Sequence, residues 1–151
     1  MIWVRRRLVC CAVILGSCLL ASCAGPVPDY GAYRHAALNT AMAMVSDLAS
    51  AQLAAELGLR RRSFQAFTDD NITNAENDAD SVNSTFSSRQ PPDGRADALR
   101  QTMLQALSDG TSALTDLRVA VRMGHRAQVN KALAEVRQSR RHFSALQQEL
   151  Q

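Results

Sequence analysis

LRQTMLQALSDGTSALTDLRVAV, residues 99–121, decides how this chain is read. Leu99, Met103, Ala106, Gly110, Ala113, Leu117 and Ala120 recur at steps of four and three, flanked by Leu107, Leu114 and Val121. That spacing lines one face of an α-helix and gives no strand face. Gly110 lies in the middle of the stripe among alanines, so the seam carries little side-chain bulk and lets a neighbouring helix approach closely. Gly124 then supplies a stop.

The same period extends outward on both sides. Downstream, Val129, Leu133, Val136, Phe143, Leu146 and Leu150 form a fourth stripe that Arg140 interrupts. Upstream, Gln90-Pro91-Pro92-Asp93-Gly94 closes the preceding segment, because paired prolines cannot continue a helix, and Asp93 can cap the next one. That preceding segment steps through Ile72, Ala75, Ala79, Val82 and Phe86. The first stripe is Ala37, Ala41, Met44, Leu48, Ala51 and Ala55, with Gly58 as a stop and Ser63 as a new N-cap.

After residue 24 no alternating apolar run bounded by turns competes with these helices. The pattern predicts an all-α chain with helices at 34–57, 63–89, 93–123 and 126–150. Short connections favour neighbours that run in opposite directions, so the expected fold is an antiparallel up-down-up-down four-helix bundle over 34–151. Fusion of the first two segments through Gly58 would give a three-helix alternative.

The start of the chain has a different character. MIWVRRR precedes thirteen mostly apolar residues (8–20) and a small-residue zone, which is the layout of a secretory signal peptide and too short to remain as a membrane-spanning helix. Leu20-Ala21-Ser22-Cys23 resembles the lipobox of bacterial lipoproteins. That resemblance implies cleavage of residues 1–22, a diacylglyceryl group on the Cys23 thiol, and a mature protein held on the extracytoplasmic side of the cell membrane. Several acyl chains on one cysteine would anchor it stably, at about 0.8 kcal/mol per buried methylene. Arg5-Arg6-Arg7-Leu8-Val9 also loosely suits a twin-arginine export signal, with an ordinary basic n-region as the alternative. Residues 23–33 then form a tether rich in proline and glycine.

The cysteines fit this reading. Cys10, Cys11 and Cys18 would leave with the leader and Cys23 would carry lipid, so the mature chain would have neither a thiol nor a disulfide and would depend on its core for stability. A second resemblance rests on Phe86-Ser87-Ser88-Arg89-Gln90-Pro91-Pro92-Asp93, set between alanine-rich helices. It is similar to uncharacterised actinobacterial lipoproteins of this size, which implies a cell type and no activity.

The formal charge of +3 belongs to the leader. Without Arg5, Arg6 and Arg7 the chain carries fourteen basic and fourteen acidic residues, a balance that gives no electrostatic claim on nucleic acid. The charges are segregated, however. Residues 69–80 hold five acids and no base, whereas 118–141 hold seven bases against Glu135 alone.

Catalytic and metal-binding patterns are mostly missing. The chain has no G-x-S-x-G elbow, phosphate-binding glycine loop or dinucleotide fingerprint, which argues against an enzyme. Glu56 and Glu135 are not followed by histidine at the spacing of a di-iron bundle. His35 and His142 would share one end of the bundle, but two imidazoles fall short of a closed metal site. Asp78-x-Asp80-x-Val82-Asn83 lacks the glycine and third oxygen ligand of a calcium loop and reads as a solvated acidic face. No cofactor and no small-molecule substrate is expected. The two N-x-S/T sequons at Asn71 and Asn83 carry little weight in a bacterial lipoprotein.

One geometric feature remains. In the expected topology Arg60, Arg61, Arg62, Arg118, Arg122 and Arg126 gather at the pole farthest from the lipid, about 38 Å away for a helix of about 25 residues. This pole is the expected contact for an anionic wall polymer or an acidic envelope protein, unless Arg118 and Arg122 pair with nearby acids. Arg137, Arg140 and Arg141 are expected near the membrane-facing pole. The functional expectation is a lipid-anchored binding or structural module of the cell envelope. Its alternative is a ligand-binding or sensory bundle that holds a small molecule in its core, with Thr40, Thr73 and Asn83 as inward polar groups.

Overall fold

In a computed structural model that describes residues 29–151, the chain forms four helices: α1 Tyr30–Leu59, α2 Gln65–Ser87, α3 Arg95–Met123 and α4 Arg126–Leu150. Among the described residues there is no strand. The expected leader, lipobox and Cys23, and residues 24–28 of the expected tether, lie outside the described residues.

α1 starts ahead of residue 34 because Asp29 accepts a hydrogen bond from the Ala32 amide at 2.8 Å and caps the helix. The additional turn brings Tyr33 fully into the core, tilted against Phe86 of α2 with ring centroids 5.6 Å apart. At the other end Gly58 does not stop the helix. The Arg61 amide bonds to the Gly58 carbonyl at 3.0 Å and the Arg62 amide to the Leu57 carbonyl at 2.9 Å. This pair of bonds is the Schellman motif, and Arg61 occupies its left-handed position at φ 54°. Gly58 serves packing instead, since a Cβ there would lie 3.0 Å from Thr68 Oγ1 of α2.

Ser63 is not an N-cap either. Phe64 holds the capping position of α2 without a side-chain bond, and the Ser63 hydroxyl receives the Thr68 hydroxyl at 3.1 Å. Asp93 precedes the N-cap, which is Gly94, but its carboxylate accepts from the Arg95 amide of the first turn of α3 at 2.9 Å. α3 ends at Gly124 with φ 71°, and the Gly124 amide reaches both the Ala120 and Val121 carbonyls.

The helices pack in a ring, α1 on α2, α2 on α3, α3 on α4 and α4 on α1, and α1 also crosses to meet α3. The diagonal contact depends on Gly110: a Cβ at that position would lie 2.8 Å from Met44 Cε of α1 and 3.1 Å from Phe143 Cε2 of α4. The stripes of α1, α3 and α4 point inward, with Met44, Leu48, Met103, Leu114, Leu117, Leu133, Val136 and Phe143 fully buried. Each such large side chain contributes about 1.5–3 kcal/mol of burial. Where Arg140 breaks the stripe of α4, the adjacent Ser139 is buried in its place. α2 supplies Ile72, Ala75, Ala79 and Phe86, with Val82 only half-buried.

Candidate functional site

The α1–α2 turn and the α3–α4 turn lie together at one end of the molecule and enclose an open cleft of about 400 Å³. Ala55, Leu59, Val121 and Val129 form its apolar walls, Ser63, Gln65 and Thr68 give it polar groups, and Arg61 and Arg126 border it. Gln65 ties the two sides together by donating to the Val121 carbonyl at 3.4 Å.

The six arginines expected to act together here divide into two groups. Arg118 of α3 is bound bidentately to Glu76 of α2, which also accepts from the Thr115 hydroxyl at 2.6 Å. Glu76 is buried, and that burial, its largest influence, pushes its carboxyl upward. The hydrogen bonds from Arg118 and Thr115 and the Arg118 and Arg122 charges outweigh it, so the carboxyl is held below its ordinary range. Arg122 donates to both oxygens of Asp69, at 2.9 and 3.0 Å. Both arginines therefore fasten α3 to α2, Arg118 with little exposure and Arg122 through its Nε alone.

Arg60 lies 3.9 Å from Glu56, whose principal partner is Arg137 at 2.9 Å. The hydrogen bonds from Arg137 and then Gln52 keep the Glu56 carboxyl below its usual value. Arg137 thus reaches toward the end of α1 bearing the cleft, away from the opposite pole where the sequence suggested it. Among the described residues Arg61, Arg62 and Arg126 have no carboxylate partner. Of the six, these three are free, with Arg60 loosely held.

Sequence reasoning missed the apolar part of this end. Phe64 is 88% exposed and Phe67 60% exposed at the start of α2, and Leu53 and Met123 are also open to solvent. The available signal was that Phe67 falls off the Ile72–Ala75–Ala79–Phe86 face, which leaves one aromatic ring without a core to fill. The burial of Glu76 was missed as well, because within this stretch only Ile72, Ala75 and Ala79 were assigned to the core and the acids read as a solvated face.

The other polar candidates do not converge. Thr40 bonds to the Ala36 carbonyl of its own helix, Asn83 is half-buried, and Thr73 has a buried hydroxyl with no partner. His35 sits in a groove between α1 and α2 and His142 in one between α3 and α4, so the two imidazoles are not brought together. Among the described residues no group of three or more His, Cys, Asp or Glu side chains could hold a metal ion. Asp47 of α1 has a buried Oδ2 without a hydrogen-bond partner, and burial followed by the Asp78 charge pushes its carboxyl up to about 6.

No protein-family model, curated protein or solved structure matches this chain. No helix among the described residues is long and apolar enough to cross a membrane.

Proposed function

We propose that this chain is a lipid-anchored module of the cell envelope that binds an anionic wall polymer or an acidic envelope protein and performs no catalysis. In this reading Cys23 carries the lipid, and residues 24–29 tether an antiparallel up-down-up-down bundle outside the membrane. The bundle's end with the two tight turns is the contact surface. The alternation of direction is supported by the cross-helix pairs, in which Arg34 meets the Glu149 carbonyl while Arg137 meets Glu56, and Asp69 meets Arg122 while Glu76 meets Arg118.

The observation that carries the reading is the set Arg61, Arg62 and Arg126, without carboxylates, of which Arg61 and Arg62 lie close in sequence to the exposed Phe64 and Phe67. Guanidinium groups pair through two parallel hydrogen bonds with phosphate or carboxylate, and exposed aromatic rings add apolar contact area. α1 has 30 residues and so extends about 45 Å, which sets this surface well away from the anchored end. A small molecule held in the core has less support, because Met44 and Phe143 close over Gly110.

The test is in-cell crosslinking from position 67, followed by capture of the partner, for the wild type and an R61A/R62A/R126A variant. The variant is expected to stay in the membrane fraction and lose its crosslinked partner; unchanged partner retention refutes the contact surface. Separately, Cys23→Ser is expected to move the protein from the detergent phase to the aqueous phase, and continued partitioning with detergent refutes the anchor.

A further inference from the structure

We infer that the end cleft is a binding site for a small organic anion, a phosphate or carboxylate group carried on a short apolar stem. The inference rests on the contact end proposed above and specifies the chemical group recognised there.

Size, charge and backbone polarity agree on this class. A cleft of about 400 Å³ lies within the range of small-ligand sites, which run from about 300 to 1,000 Å³. Its lining combines two chemistries: Leu59, Val121 and Val129 are apolar, and Arg61 and Arg126 carry guanidinium groups with no carboxylate partner to neutralise them. An apolar stem would cover the former while its anionic head paired with the latter, a charge-assisted contact stronger than a neutral hydrogen bond.

The backbone at this end also offers donors. The two helices that begin here, α2 and α4, have no side-chain cap, so their first-turn N–H groups remain open. They lie at the same end as the arginines.

Arg61 carries a further indication. It takes the left-handed position of the Schellman motif, which glycine fills without strain and arginine does not. An arginine held there gains nothing for the turn. Its side chain contributes to the cleft instead.

The test uses the full chain in dodecyl maltoside micelles, with amide resonances followed by NMR during titration. Phenyl phosphate and phenylacetate are the probes, with benzyl alcohol and inorganic phosphate as controls. Both probes are expected to shift the Gly58, Gln65 and Gly124 amides saturably, with Kd below about 1 mM, a weak affinity of about −4 kcal/mol. Benzyl alcohol should leave them unmoved, and inorganic phosphate should bind at least about tenfold more weakly, a difference of about 1.4 kcal/mol.

Arg61→Gly relieves the backbone and so should fold at least as well as the wild type while weakening phenyl phosphate binding at least about fivefold, or about 1 kcal/mol. Arg126→Gln, at an exposed position, should weaken it similarly. Absence of a saturable shift, an equal response to benzyl alcohol, or wild-type affinity in both variants overturns the site. If phenyl phosphate does not bind but R61A/R62A/R126A still loses its envelope partner, the cleft falls and the contact surface stands. If phenyl phosphate binds and the triple variant keeps its envelope partner, the cleft stands and the contact surface falls.

Discussion

Replacing Asp47 with asparagine should stabilise the protein at neutral pH and do nothing in acid. The Asp47 carboxyl is half-buried, its Oδ2 has no hydrogen-bond partner, and burial together with Asp78 raises it from 3.8 to about 6. An acid whose folded-state value is raised keeps its proton in the folded chain after the unfolded chain has released it. Its contribution to stability is therefore complete below about pH 4 and is lost as the pH rises through 6. At 1.36 kcal/mol per unit the full shift corresponds to about 3 kcal/mol, and the partial exposure of the group lets solvent screening reduce this to about 1 kcal/mol. Urea unfolding followed by circular dichroism, at pH 4.0 and 7.5, should give D47N an advantage of about 1 kcal/mol only at the higher pH, with a melting-temperature gain of about 3–5 °C. Asp78→Asn should shift the transition of the wild-type curve toward lower pH. A D47N advantage that is equal at both pH values, or absent at both, refutes the assignment of an uncompensated carboxylate at this position.

Three further outcomes follow from the packing. Tyr33→Phe removes a buried hydroxyl that has no partner and keeps the ring against Phe86, so it should raise stability by about 1 kcal/mol in the same unfolding assay. Gly110→Val places a branched side chain where a Cβ alone meets Met44 and Phe143, and should cost about 2–3 kcal/mol, with loss of near-ultraviolet signal as the core is pushed apart. Glu76→Gln leaves Arg118 half-buried without its carboxylate and should cost about 2 kcal/mol at pH 7. Because the Glu76 carboxyl is held below its ordinary value of 4.5, its contribution is present above that pH and lost in acid, so the deficit should shrink as the pH falls below it.

The stripes of α1, α3 and α4 were legible because their apolar residues repeat at helical spacing, and Gly110 stood out because nothing else in its stripe lacks a side chain. The turn between α1 and α2 was not legible. Gly58 and Ser63 are the residue types that local rules select for a stop and a cap, yet a tertiary approach to Thr68 claims Gly58, and a hydroxyl pair occupies Ser63. The left-handed position fell to Arg61, which no propensity rule would choose. For the site, charge counting gathered all six arginines because sequence distance carries no information about partners. The alternative that Arg118 and Arg122 pair with acids was legible, but not which acids: Asp69 and Glu76 lie 53 and 42 residues from the arginines they engage, and only the fold identifies them.

Two of the six buried residues of α2, Thr68 and Glu76, are polar, whereas every buried residue of α3 is apolar or glycine. The second helix therefore adheres through fewer greasy contacts than its neighbours and leans on two charged clasps to the third. Mechanical or thermal stress should peel it away first, as a flap whose release uncovers Tyr33 and the alanine seam of α1 while the remaining three helices still hold together.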